Sequence, residues 1–135
     1  MYDIILIYCH RFKFIRNFFY NFIWNHYNSF FITNYCPLVF MEGPNGRNRV
    51  PEKLPAVERA PVFEACDRAL LQTVELMQPE LILGVGKFAE KKAQQVVGHL
   101  DVQIGSVPHP SPASPIANRG WSPLMDAALK ELGVR

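Results

Sequence analysis

His109 stands between Pro108 and Pro110 in the run VPHPSPASP, residues 107–115, and two more prolines follow at 112 and 115. Proline fixes φ and pushes the preceding residue toward extended backbone, so this loop is stiff. A solvent loop has no need of such stiffness. A histidine that must meet a developing negative charge, or a wedge that must enter a base stack, gains from being held in place before the reaction. Two other groups could join it. Asn34, an amide with one acceptor and two donors, stands in a stretch of strand-like composition. The run GVGK at 84–87 could meet a phosphate through Gly86 and Lys87 at a helix start. It lacks the third glycine of a dinucleotide fingerprint and the terminal Ser or Thr of a P-loop, so a tight strand-to-helix turn explains it equally well.

The elements around these residues read as α/β. FITNYCPLVF, residues 31–40, has the β-branched and aromatic content of a strand, with Pro37 limiting its ladder near the end. A loop from Glu42 to Pro55 follows, containing GPNG and the basic cluster Arg47, Arg49 and Lys53 with Asn48 between them. Apolar positions from Val57 to Met77 fall at helical spacing, with Pro61 placed in the first turn. LILGVG is a buried strand, KFAEKKAQQVVG an amphipathic helix closed by Gly98, and residues 102–107 a second strand. The last helix spans Trp121 to Leu132. This order predicts a parallel sheet with flanking helices and right-handed crossovers, and ligands beyond the carboxyl ends of the strands. Asn34, GVGK and His109 all lie at such ends.

The composition is split along the chain. Of seventeen aromatic residues in the 135, twelve lie in residues 1–31, whereas all eleven prolines and all eight glycines come after Tyr35. Residues 1–31 show no clean period and no motif. Their AT-rich codon types suggest translated non-coding sequence, the alternative being an apolar helix packed on the body. The readable domain is residues 32–135. Net charge is +3 − 1 over residues 1–31 and +11 − 11 over the rest. A broad basic surface is thereby excluded, and nucleic-acid contact must rest on a local cluster. Residues 17–36 carry no formal charge, but six asparagine or histidine side chains interrupt them, so no membrane span is expected. Cys9, Cys36 and Cys66 contain no CxxC pair, which excludes a closed zinc site or a four-thiolate cluster and fits a reducing compartment.

NYCPL at 34–38, LPA at 54–56, GVGKFAE at 84–90, HPSP at 109–112 and AN-x-GW at 117–121 together resemble the single-strand-selective monofunctional branch of the uracil-DNA glycosylase superfamily. The resemblance covers residues 32–135. It implies a hydrolase that cleaves the N-glycosidic bond of uracil in single- and double-stranded DNA. Such an enzyme acts in base-excision repair in the nucleus, as a monomer, without metal, cofactor or lysine intermediate. Asn34 matches the asparagine that reads the flipped uracil, and His109 the histidine that stabilises the departing base. A preplaced donor of that kind contributes roughly 3 to 4 kcal/mol to the barrier. Ser111, Pro112, Ala113, Ser114 and Asn118 fall in the intercalating loop, Ser111 to Asn118, where Ala113 is smaller than the usual wedge, and Arg119 next to it is a further DNA-binding candidate. Arg47, Asn48, Arg49 and Lys53 fall in a region used on DNA.

One departure stands out. The family's Gly-Met-Asn-Pro-Gly segment, whose asparagine positions the attacking water on an earlier strand, is not found in residues 1–31. GPNG at 43–46 follows NYCPL instead of preceding it. The resemblance therefore implies a fold incomplete at its N-terminal side and a truncated, inactive chain. The competing reading is a non-catalytic fragment or pseudo-enzyme that binds single-stranded DNA, and a weaker one is a small nucleotide-binding module using GVGK.

Overall fold

The computed structural model describes residues 4–8, 30–110 and 120–133. Among these residues ten elements follow one another: β1 (Ile4–Tyr8), β2 (Phe30–Asn34), β3 (Phe40–Glu42), β4 (Arg47–Arg49), a short 3-10 turn (Pro51–Lys53), α1 (Ala56–Met77), β5 (Leu81–Val85), α2 (Lys87–Val97), β6 (Gln103–Val107) and α3 (Trp121–Glu131). Four strands form one sheet in the order β2-β1-β5-β6. β5 and β6 are parallel, joined across α2 as the sequence predicts, while β1 runs antiparallel to both β2 and β5. Since β1 opposes both neighbours, β2, β5 and β6 all point the same way. The expected co-direction of these three strands is present, with an antiparallel strand inserted among them.

Alternation along β5 assigns the two faces. Ile82 joins Ile5 and Ile7 of β1 against α1 and α2, where Cys66, Leu70, Val74, Ala89, Ala93 and Val97 are also buried. Leu81, Leu83 and Val85 face the other way with Val107, against Met125, Ala128, Leu129 and Leu132 of α3. All five residues of β5 are buried, which is why its sequence is an unbroken apolar run instead of an alternation. The result is a three-layer α/β/α arrangement. Gly84 and Gly105 let the layers close. A Cβ on Gly84 would lie 2.1 Å from the Glu90 backbone nitrogen in α2, and one on Gly105 would lie 2.7 Å from the Leu132 side chain in α3.

Four sequence expectations are corrected. The strand read over residues 31–40 stops at Asn34, because Tyr35 turns into the core and Pro37 cannot donate to a ladder. The segment read as a loop from Glu42 holds a β-hairpin: β3 pairs β4, Phe40 opposite Arg49, around a turn closed from the Gly46 N–H to the Gly43 carbonyl at 3.2 Å. Both glycines have positive φ, the conformation that such a turn demands. α1 begins at Ala56, so Pro61 is its sixth residue, beyond the first turn. The Val57 carbonyl that loses its partner is tolerated because Val57 is exposed. Lastly, Ile4–Tyr8, in a segment whose sequence shows no clean period, forms a strand in the middle of the sheet. No helix among the described residues is long and apolar enough to cross a membrane.

Candidate functional site

The carboxyl ends of β2, β5 and β6 share one rim of the sheet. Thr33, Ile5, Gly84 and Ser106 form one continuous row across the four strands. Asn34 is one residue further along, level with Val85 and Val107. Gly86 leaves the end of β5, and Pro108 and His109 leave the end of β6. With about 4.8 Å between neighbouring strands, β2 and β6 lie about 14 Å apart across the rim.

His109 is built against Gly86. A Cβ on Gly86 would stand 3.4 Å from the histidine Cβ and 3.7 Å from its Cδ2. Gly86 has φ of 91°, caps the start of α2 and donates its N–H to the Val107 carbonyl at 2.9 Å. That bond pins the β5 end to the β6 end just before Pro108. His109 is partly exposed and lines a cleft of about 440 Å³ with Gly86, Lys87, Ser106, Val107, Pro108 and Ala128. The stiffness expected of the proline run is reinforced from α3, whose Trp121 indole N–H donates to the Pro108 carbonyl at 2.7 Å. Sequence reasoning gave Trp121 no role beyond the motif that contains it.

Both glycines of GVGK thus have steric work, Gly84 against α2 and Gly86 against His109. The Gly86 N–H is engaged, and the Lys87 ammonium pairs with the Glu90 carboxylate at 2.7 Å. What remains for an anion is the other first-turn amides of α2.

Asn34 ends β2 with its side chain exposed, and that side chain makes no hydrogen bond to another described residue; its backbone carbonyl accepts from the Thr33 hydroxyl at 3.3 Å. It does not line the cleft beside His109. Behind it, Tyr35 is buried and donates to Asp67 of α1, which pairs with Lys92 of α2 at 3.3 Å. These partners are 32 and 25 residues apart in sequence, which no periodicity reveals. Burial foremost, then the Asp67 carboxylate, pushes the Tyr35 phenol above its ordinary range. Burial, then a hydrogen bond with Cys36, pushes the Cys66 thiol up to about 12.

The basic cluster is less positive than its arginines suggest. Glu42 bridges both, at 3.1 Å to Arg47 and 3.2 Å to Arg49, and Arg49 also donates to the Lys53 carbonyl at 2.7 Å. Arg47 remains 81% exposed and Arg49 33%. Asn48 and Lys53 are exposed on the same hairpin and turn. Ser111, Pro112, Ala113, Ser114, Asn118 and Arg119 lie outside the described residues.

The sequence that places an asparagine, a glycine turn and a proline-held histidine at one sheet rim matches a known family. Residues 8–133 match the uracil DNA glycosylase superfamily, and the chain belongs to it. Within that superfamily it is similar to the single-strand selective monofunctional uracil-DNA glycosylases of Rattus norvegicus, Bos taurus and Mus musculus. Each is 42% identical over 106 residues, which is 77% of this chain. The chain spans 38% of the length of the rat and mouse relatives and 39% of the bovine one.

Proposed function

We propose that the chain carries the base-reading and leaving-group side of a uracil-DNA glycosylase site, the activity of base-excision repair in nuclear DNA. The observation that carries this reading is that Asn34 and His109 leave co-directional strands at one rim of one sheet. About 14 Å of backbone separation accommodates a flipped pyrimidine ring once two side chains reach inward from either side.

Asn34 matches the uracil N–H with its amide oxygen and a uracil carbonyl with its amide nitrogen. Cytosine presents the opposite pattern there and would leave buried polar groups unsatisfied, which is the basis of discrimination. As the glycosidic bond breaks, negative charge gathers on the uracil oxygen, and His109 donates a hydrogen bond to it. The Gly86 contact and the Trp121 bond to Pro108 hold His109 there in advance, so little reorganisation is needed at the transition state. Arg47 and Arg49 meet the DNA phosphates, and residues 111–118 fill the space left by the flipped base.

The attacking water needs a positioned group as well. The sequence does not contain the family's Gly-Met-Asn-Pro-Gly segment. Residues 1–135 by themselves therefore bind uracil in single-stranded DNA without releasing it. The test is binding of a single-stranded oligonucleotide carrying one uracil, compared with the same oligonucleotide carrying cytosine. The expected preference for uracil is about tenfold or more, and Asn34→Ala abolishes it. A preference that survives Asn34→Ala removes Asn34 from base recognition.

A further inference from the structure

Reading a base with an amide requires that the amide be held in one orientation, because its two ends have nearly the same shape and opposite hydrogen-bonding sense. Asn34 has no side-chain partner among the described residues. Among the described residues, the backbone that follows it is the part fixed firmly enough to orient it. The next residue, Tyr35, is 3% exposed. Its ring meets Phe63 and Phe88 edge-on, at centroid distances of 5.8 and 5.9 Å, and Phe63 and Phe88 contact each other at 6.2 Å.

The polar end of Tyr35 is held just as closely. Its hydroxyl donates to Asp67, with the Phe63 carbonyl at 3.4 Å. Asp67 pairs with Lys92, whose side chain is only 13% exposed and whose ammonium lies 4.5 Å from the Phe63 ring centre and 5.1 Å from that of Tyr35. Burying a lysine and pairing it inside an aromatic cluster gains little over apolar residues of similar volume. What such a pair supplies is a fixed direction for the groups bonded to it. Phe88, moreover, is the second residue of α2, and Gly86, which caps that helix, abuts His109. One cluster thus references both sides of the site to the same frame.

We propose that Tyr35 is a positioning residue for Asn34, oriented by the half-buried Asp67–Lys92 pair, so that α1 and α2 set the angle at which Asn34 meets the base. This rests on the uracil reading given above. Because the phenol keeps its proton across the neutral range, it remains a donor to Asp67 throughout.

The test uses residues 1–135 and the same two oligonucleotides, one with uracil and one with cytosine. Tyr35→Phe keeps the ring and removes the donor, while Asp67→Asn keeps the phenol and removes the charge. Each is expected to lower the preference for uracil about fivefold while leaving affinity for the cytosine oligonucleotide within about twofold. In an Asn34→Ala background Tyr35→Phe adds nothing, the non-additivity of residues acting through one another. Variants that melt at lower temperature but keep the full preference overturn the proposal, as do variants that lose affinity for both oligonucleotides alike. Failure of both variants to fold assigns the cluster to folding alone and also overturns it. If the preference survives Asn34→Ala, or is missing from the unaltered chain, the uracil reading itself fails, a result separate from any effect of Tyr35.

Discussion

The indole N–H of Trp121 donates to the carbonyl of Pro108 at 2.7 Å, joining the first turn of α3 to the residue before His109. Sequence stiffness and this bond act on the same short segment: Pro108 and Pro110 restrict the backbone, and Trp121 fixes where it sits. Trp121→Phe keeps most of the ring surface and removes the donor. Because the same loop goes on to the residues proposed to fill the space left by the flipped base, the expected result is a loss of about fivefold to tenfold in affinity for uracil-containing DNA, with stability falling by only about 1 kcal/mol. Thermal melting alongside oligonucleotide titration separates the two. A variant with unaltered affinity would mean that the prolines alone hold the loop.

Gly86→Ala places a methyl group against His109 on a backbone with φ of 91°. Such a position favours glycine, and the substitution is expected to cost about 1 to 2 kcal/mol and to displace the imidazole. Gly84→Ala is expected to be worse, since its Cβ would meet the α2 backbone, which cannot rotate away as a side chain can. Chemical denaturation of the two variants gives the order directly.

Arg47→Ala with Arg49→Ala is expected to weaken binding to every DNA sequence alike and to flatten its salt dependence by about one to two units of slope. Glu42→Gln acts in the opposite direction, because Glu42 holds both guanidinium groups. Titrations at several salt concentrations check both. A loss confined to uracil-containing DNA would place the two arginines in base recognition instead of on the phosphates.

Alkaline pH bears on Cys66 and Tyr35. The Cys66 thiol is pushed from 9.0 up to about 12, and Tyr35 is also raised, so the unfolded chain releases these protons before the folded one does. The Cys66 contribution to stability is complete below pH 9.0 and is lost as pH rises through about 12, while that of Tyr35 begins to be lost only above pH 10.0. Melting temperature is expected to decline above about pH 9, less steeply in Cys66→Ala. A melting temperature that climbs between pH 9 and 11 would contradict this sign.

The legible part of the molecule was that built from local signals. LILGVG, the amphipathic run after it and the strand before Pro108 each carry their own period and their own stop, so β5, α2 and β6 were readable to within a residue or so. The place of His109 was legible because it follows an apolar strand and stands between prolines, whereas the strand read over residues 31–40 ran past Asn34, where β2 in fact stops, and only the NYCPL resemblance singled that residue out. The hairpin of β3 and β4 was not, because arms of three residues are too short to show alternation. Ile4–Tyr8 was hidden by its surroundings: in a segment where nearly every residue is apolar or aromatic, Ile5 and Ile7 do not stand out, and only pairing with Gly84 and Ile82 reveals them. Tyr35, Asp67 and Lys92 meet across three elements, and a contact of that kind has no sequence signature.

Uracil release from single-stranded DNA under single-turnover conditions tests the account most directly, with three proteins in one assay: residues 1–135, a chain extended by the Gly-Met-Asn-Pro-Gly strand ahead of residue 32, and that extended chain with His109→Ala. The expected result is no release above background from residues 1–135, ready release from the extended chain, and a rate lowered about a hundredfold or more by His109→Ala, with binding to product DNA little changed. Release by residues 1–135 at the rate of the extended chain, or an unchanged rate in His109→Ala, would contradict the division of labour between a base-reading rim and a separate water-positioning strand.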